Sequence, residues 1–268
     1  DRLNSEQIET CLNTEWPPCS IAWAETHSQF LDTMFSSIEW RRRYAKDKGG
    51  SPYPIDLFER KVRKLRILAP TGLYGIIFVS EFEKRIYESD DLTSERVIQI
   101  AKETYRKYMD MDGDSLRALS VPHIYAWDSS AYYHAYGLAE LAFEQWRKYF
   151  YEKYGFIVDN PEVGREMAAV WALGSLKSFA EFVKIATGKE LSPEAFLEDA
   201  TMSADDYIRQ GMERAARLES VPEFQGPVDL NIRIQMVHGK EVIADNSLSF
   251  EDMAEKYKAW LHAQVKNS

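Results

Sequence analysis

The stretch "YGLAELAFEQWRKYFYEKYG" (residues 136–155) sets the fold class. Its apolar residues recur at the three- and four-residue spacing of an amphipathic helix. The inner face predicted from this spacing consists of Leu138, Leu141, Ala142, Gln145, Trp146, Tyr149 and Phe150. Gly155 is placed to end the helix, because glycine readily adopts the left-handed backbone conformation found there. We therefore expect a long helix that is buried along one side.

Helical spacing governs most of the chain outside this stretch. From Glu25 to about Tyr44 a single helix is expected, and its predicted buried stripe consists of Phe30, Leu31, Met34, Phe35 and Ile38. A second helical stretch, 55–88, is interrupted at Pro70, since proline is not tolerated inside a straight helix. The expected helix starts downstream are Thr93, the pair Asn160–Pro161 and the pair Ser192–Pro193.

The C-terminal region has a different pattern. Between residues 228 and 246, Leu230, Ile232, Ile234 and Met236 alternate with polar residues, and the sequence 238–240 forms a turn, which together predict a β-hairpin. Ser249 and Asp252 resemble a capping box for a last helix. The sequence thus predicts a mainly α fold in two parts, a helical region over 1–226 and a hairpin with a helix over 227–268.

Charge and composition exclude several partners. A formal net charge of −10 argues against binding to nucleic acid or to an acidic membrane surface. The longest apolar run, 72–79, is far shorter than the roughly 20 residues that cross a bilayer, so we expect no membrane span. Cys11 and Cys19 have neither the spacing of a metal site nor that of a disulfide framework. We interpret them as reduced thiols of a cytoplasmic protein.

Glu25 is the first candidate for chemistry. The chain has five His but no HExxH pair, so local motifs alone do not predict a zinc site. In "AWAETHSQFL" (22–31), however, a single Glu lies among small and apolar residues at the start of a helix. Such a carboxylate must be paired, coordinated or solvated. It is either a carboxylate favoured by the helix dipole or a metal ligand.

The segment "ETHSQF" (25–30) resembles the thimet oligopeptidase and oligoendopeptidase F family of zinc metallopeptidases. In that family a Glu is followed at the third and fourth positions by Ser and by Gln or Thr, and this Glu is the third zinc ligand. The resemblance therefore implies that Glu25 binds zinc. His27 stands where the family often has Pro or Ala.

A second segment, "SVPHIYAWDSSAYYHAYGLAEL" (120–141), resembles the substrate-binding segment of the same family. The spacing of His123, Tyr133 and Tyr136 is similar to that of the dipeptidyl carboxypeptidase branch, whereas Tyr125 is similar to the oligoendopeptidase F branch. Ser129 stands where the thimet branch has a Tyr. The resemblance implies that Tyr136 stabilises an oxyanion.

By the same resemblance, Tyr133 and His123 hold the substrate backbone and belong to the catalytic set, and Tyr125 and Ser129 contact substrate. The alternative, from the residues alone, is that Tyr132, Tyr133 and Tyr136 only pack along an amphipathic helix. The other histidines have no role in this scheme: we expect His134 at the helix surface or behind the site, and His238 and His262 in solvent.

A third segment, "LGSLKSFAEFVKIATGKELSPEAFL" (173–197), is similar to the closing pattern of the family. The resemblance thus covers about residues 22–200 in order, and implies a zincin-type oligopeptidase that cleaves short unstructured peptides. It also places HExxH about 25 residues before Glu25, ahead of Asp1. We therefore expect two His ligands and the general-base Glu in a preceding part of the enzyme.

These expectations make the chain a C-terminal portion of the catalytic domain that is inactive alone. Its expected partners are short peptide substrates and either the missing N-terminal part or a second copy of the chain. The alternative is a non-catalytic helical module that binds peptides or a protein partner through the same groove.

Overall fold

The computed structural model describes residues 21–110, 115–126, 129–174, 177–223 and 232–266. The chain divides into two compact units, Asp1–Val221 and Pro222–Ser268. Most of the described residues are helical, which confirms the mainly α prediction. Cys11 and Cys19 lie outside the described residues, so their predicted thiol state stays a prediction.

The first unit is built from helices joined by short connections. In chain order they are α1 (Ile21–Ser36), α2 (Ile38–Tyr44), α3 (Ile55–Leu65), α4 (Thr71–Tyr87), α5 (Ser94–Met109), α6 (His134–Tyr154), α7 (Pro161–Trp171), α8 (Phe179–Thr187), α9 (Glu194–Thr201) and α10 (Ala204–Glu219). Three short 3₁₀ segments, Arg66–Leu68, Ser115–Ser120 and Pro122–Tyr125, lie between them.

Helix α6 lies at the centre of the main core, as its sequence predicts. Trp146 is 1% exposed and packs against Trp23 and Phe30 of α1. Gly155 ends α6 at φ +78°, the left-handed conformation expected there. Leu138, by contrast, is only half-buried and lines a groove between α6 and α4. The inner face therefore changes its packing partner along the helix.

The helix predicted from Glu25 to Tyr44 is two helices. Ser37 adopts an extended conformation and its hydroxyl accepts a hydrogen bond from the Trp40 amide at 3.2 Å, so it caps α2. The prediction of one buried stripe is also wrong at Leu31 and Phe35, which are 43% and 56% exposed. These two residues share a face that is rotated about 100° from Phe30, and that face is open to solvent.

The predicted starts at Thr93 and Asn160 agree with the structure, whereas α9 begins at Glu194 with Pro193 as its N-cap, one residue later than predicted. The Thr93 hydroxyl caps α5, and Asn160 caps α7 with Pro161 at its first position. The break near Pro70 separates α3 from α4. Within the described residues no single helix is long and apolar enough to cross a membrane, whereas the bent pair 55–68 and 71–87 meets that test by length and composition.

The second unit contains the predicted hairpin, which is shorter than 228–246. Strands β1 (Gln235–His238) and β2 (Glu241–Asp245) pair antiparallel, with His238 opposite Glu241. Helix α11 (Phe250–Lys266) begins after Ser249, whose hydroxyl accepts a hydrogen bond from the Asp252 amide at 3.0 Å. His238 and His262 are exposed, as predicted.

Candidate functional site

Glu25 lies in the first turns of α1, on the side that the core does not cover. Trp23, Thr26 and Phe30 are buried, and this leaves the Glu25 carboxylate half-exposed. One carboxylate oxygen accepts a hydrogen bond from the Ser28 hydroxyl at 2.7 Å, and the other accepts one from the Tyr132 hydroxyl. Glu25 is therefore tied to a residue 107 positions away in the chain.

Four aromatic rings collect beside Glu25. The His123 ring centroid lies 5.0 Å from that of Tyr132, 5.6 Å from that of Tyr133 and 5.8 Å from that of Tyr136. The Tyr136 hydroxyl is 3.3 Å from His123 Nε2, within hydrogen-bonding distance. His123 Nδ1 is buried, and no described residue forms a hydrogen bond with it. The structure thus groups His123, Tyr133 and Tyr136 with Tyr132, which contacts Glu25.

Hydrogen bonds to a residue of α4 hold the turn that precedes α6. The Glu83 carboxylate is buried and accepts hydrogen bonds from the Ala131 amide at 2.7 Å and from the Tyr87 hydroxyl at 3.2 Å. Ala131 has φ +53°, an unfavourable conformation for a residue with a side chain. Because Tyr132 directly follows Ala131, the hydrogen bond between Ala131 and Glu83 fixes the position at which the segment 132–136 starts.

Helices α1 and α6 are also tied to each other inside the site. The Gln29 side-chain amide donates to the Tyr136 carbonyl at 3.4 Å, one helical turn beyond the Glu25–Tyr132 contact. Both contacts join residues 107 positions apart. A step of four residues along α1 therefore matches a step of four residues from Tyr132 to Tyr136, and this register holds along the site. This register keeps the Tyr136 hydroxyl near His123.

The environment favours the neutral form of Tyr132 and of Tyr136. Burial raises the pKa of Tyr132, and its hydrogen bond to the Glu25 carboxylate raises this pKa further. Burial and the nearby negative charge of Glu25 also raise the pKa of Tyr136. Both side chains are therefore neutral hydrogen-bond donors.

His27 lies in the same helix as Glu25 but belongs to the core. Its ring packs edge-on against Trp23 and Trp146, and its Nδ1 donates to the Trp23 carbonyl at 2.8 Å. Burial lowers the pKa of His27 to about 4, so the ring is neutral. His134, at the start of α6, is exposed.

The other two predicted substrate contacts, Tyr125 and Ser129, lie in the segment between His123 and Tyr132. Tyr125 is 68% exposed, and its hydroxyl donates to the Leu119 carbonyl at 2.6 Å. Ser129 lies in a turn in which its amide donates to the Ala126 carbonyl at 2.9 Å. Their roles in substrate binding stay predictions.

Tyr132, which the structure places on Glu25, was not among the predicted site residues. Helical spacing gives no signal for it, because Tyr132 precedes His134, the first residue of α6.

The described residues around Glu25 do not complete a metal site. A zinc site needs three protein ligands. Across the described ranges no group of three His, Cys, Asp or Glu side chains lies close enough to hold a metal ion. These residues therefore supply one carboxylate of the right chemistry and not a complete site.

Comparison with known proteins supports the resemblance. Residues 7–202 match the model of a family described as Peptidase family M3, and this match covers about three quarters of the chain. No curated protein and no solved structure matches the chain. The matched range includes Glu25, the aromatic cluster and all helices from α1 to α9. The chain belongs to peptidase family M3.

Proposed function

We propose that the chain is the substrate-facing portion of a zinc-dependent oligopeptidase that hydrolyses short unstructured peptides. The observation that supports this most directly is the contact of Glu25 with the aromatic cluster of 123–136. By the resemblance, Glu25 stands in the position of the third metal ligand and residues 123–136 in that of the substrate-binding segment. The Tyr132 hydroxyl donates a hydrogen bond to Glu25 and so joins the two segments.

Within this proposal, Glu25 is one zinc ligand, and the two histidines come from outside the described residues. Zinc supplies the Lewis acid of the reaction when it is bound. The remaining roles belong to side chains in the structure. Tyr136 is a neutral donor suited to a developing oxyanion, and a donor of this kind is worth a factor of about 10² to 10³ in turnover.

His123 and Tyr133, together with Tyr136, form the proposed substrate-binding surface. In this proposal His123 holds the substrate backbone beside Tyr136, whose hydroxyl lies 3.3 Å from His123 Nε2. The Tyr133 ring packs edge-on against Tyr136, which limits the positions open to the Tyr136 ring.

The test uses the protein encoded by the longest reading frame that contains this sequence. We expect Glu25→Gln to lower zinc content, measured by elemental analysis, and to abolish cleavage of a quenched fluorescent peptide. Tyr136→Phe should retain zinc and lower turnover by about 10² to 10³. Tyr74→Phe, at an exposed tyrosine on α4, is the matched control and should change neither.

Full zinc content and activity in Glu25→Gln would contradict the proposal. A reading frame without HExxH, combined with peptide binding that is lost in Tyr136→Phe, would instead identify a non-catalytic peptide-binding module.

A further inference from the structure

A polar cavity of about 260 Å³ lies between α6, α9 and α10, and it shares no lining residue with the candidate site. Its α10 wall consists of Tyr207, Gln210 and Arg214, and Glu144, Arg147 and Tyr151 of α6 lie opposite. Pockets for drug-sized molecules span about 300 to 1,000 Å³. This cavity therefore suits a ligand of the size of an amino acid.

The α10 wall presents three kinds of hydrogen-bond donor. Tyr207, Gln210 and Arg214 are spaced by three and four residues and so share one face of the helix. In the described part of the chain, none of these three side chains forms a hydrogen bond. The single ion contact of Arg214 joins its Nε to Glu39 at 3.4 Å, and its guanidinium lies over the Tyr151 ring, 4.6 Å from the centroid.

The other charges of the cavity wall already have partners. Arg147 donates to both carboxylate oxygens of Glu144, at 2.8 and 3.0 Å. Asp199 pairs with Arg66 at 3.0 Å. The remaining wall ions form a group of three in which Lys148 contacts Glu152 at 3.9 Å and also contacts Glu198.

Among the described cations of the cavity wall, Arg214 is therefore the one whose side-chain N–H groups form no hydrogen bond. The lining side chains include three cations, Arg147, Lys148 and Arg214, and four carboxylates, Glu144, Glu152, Glu198 and Asp199, so the wall carries more negative than positive charge. A ligand with a single carboxylate, above all an amino acid whose ammonium group offsets it, suits such a wall better than a phosphate, which carries more charge. Arginine presents its donors as a planar fork that matches a carboxylate.

We propose that this cavity binds the free carboxylate of a small molecule, either an amino acid or the C-terminus of a short peptide, through Tyr207, Gln210 and Arg214. The site is separate from the proposed peptidase site, and the inference does not depend on that function.

Binding to the whole chain is measured by nuclear magnetic resonance titration with three probes. L-Alanine carries a carboxylate and an ammonium group, N-acetylalanine keeps the carboxylate on a peptide-like unit, and alaninamide lacks the carboxylate. We expect alanine to bind and alaninamide not to bind. Binding of N-acetylalanine as tight as that of alanine identifies a peptide C-terminus as the source, and weaker binding identifies the free amino acid.

Variants assign the binding to the α10 wall. Arg214→Gln should weaken binding of the carboxylate probe at least about tenfold, and Tyr207→Phe about two- to tenfold. Arg209→Gln is the matched control, because Arg209 lies on the exposed side of α10 and pairs with Asp206 and Glu213, and it should bind as the parent does.

Equal binding of alaninamide and alanine would overturn the inference, as would unchanged binding in Arg214→Gln. If Arg214→Gln fails to fold because Glu39 loses its counter-ion, Tyr207→Phe and Gln210→Ala decide the question. Unchanged binding in both of these variants would equally overturn it.

Discussion

Glu25 is the residue at which the two halves of the candidate site meet. Its carboxylate accepts hydrogen bonds from Ser28, one turn away, and from Tyr132, in a distant segment. Hydrogen bonds to a charged group are stronger than those between neutral groups. The same contact therefore positions Tyr132 and holds the Glu25 carboxylate in place.

The coupling between these two residues is testable. Glu25→Gln removes the negative charge beside Tyr132, so we expect the pKa of Tyr132 to fall toward its ordinary value, with the effects of burial and of Tyr136 remaining. The measurement is an ultraviolet titration of tyrosine ionisation in Glu25→Gln and in the parent chain. Tyr132→Phe assigns the signal, and Ser37→Ala, on the same stretch of chain but away from Tyr132, is the control. An unchanged Tyr132 titration would contradict the contact.

At the scale of single residues, the sequence identified Glu25 and missed its partner Tyr132. Glu25 and Tyr136 were identified because each lies in a segment that resembles a family motif. Tyr132 was not identified, because its role depends on a hydrogen bond to a residue 107 positions away, and no local pattern encodes that distance.

At the scale of elements, the turn before α6 depends on α4. Glu83 is a buried carboxylate that accepts the amide of Ala131, a residue in an unfavourable backbone conformation. Conformations of this kind persist only where the surroundings hold them. Helix α4 therefore acts as the support for the tyrosines of the candidate site.

Removal of this support has an expected cost. Glu83→Ala leaves the Ala131 amide without its acceptor, and we expect a loss of about 1–3 kcal/mol in the free energy of unfolding. Chemical denaturation measures the loss, and hydrogen exchange at the Ala131 amide should be faster. Glu88→Ala, at an exposed carboxylate directly after the last residue of α4, should change stability by less than about 0.5 kcal/mol. A loss in Glu83→Ala no larger than in this control would contradict the supporting role.

Helix boundaries were predictable where a single residue decides them, as at Thr93, Asn160 and Gly155. The break between α1 and α2 was not predicted, because apolar residues continue at helical spacing through Ser37 and its capping role appears only once the backbone turns. Local sequence thus places the helices, whereas the contacts between helices decide which faces are covered.

At the scale of the whole molecule, His27 and Glu140 make the free energy of unfolding depend on pH in opposite directions. Burial lowers the pKa of His27 to about 4, so the unfolded state binds more protons below pH 6.5 and stability falls as pH drops toward 4. Burial, followed by the charge of Glu144, raises the pKa of Glu140 to about 7. For Glu140 the folded state binds more protons, so its unfavourable effect appears as pH rises from 4.5 to 7.

These signs predict the behaviour of Glu140→Gln. We expect this variant to be more stable than the parent above pH 7, by about 1–2 kcal/mol after allowance for the partial exposure of the side chain, and to show no gain below pH 4.5. Urea denaturation across this pH range measures the difference. The exposed Glu219→Gln is the control and should show no such trend. A gain that persists at pH 4 would contradict the raised pKa.

In the same experiment, the parent should lose roughly 3 kcal/mol of stability through His27 between pH 6.5 and 4. This loss should remain in Glu140→Gln, because the two groups titrate in different surroundings.

The register of α1 against α6 also has a consequence for the order of events during folding. Contacts between residues 107 positions apart require a long loop to close before they return any free energy, so they form late and slowly. During synthesis, α1 leaves the ribosome well before α6 exists. A nascent chain that stops ahead of α6 therefore has Glu25 without Tyr132 and Tyr136, and the candidate site forms only after α6 has been made.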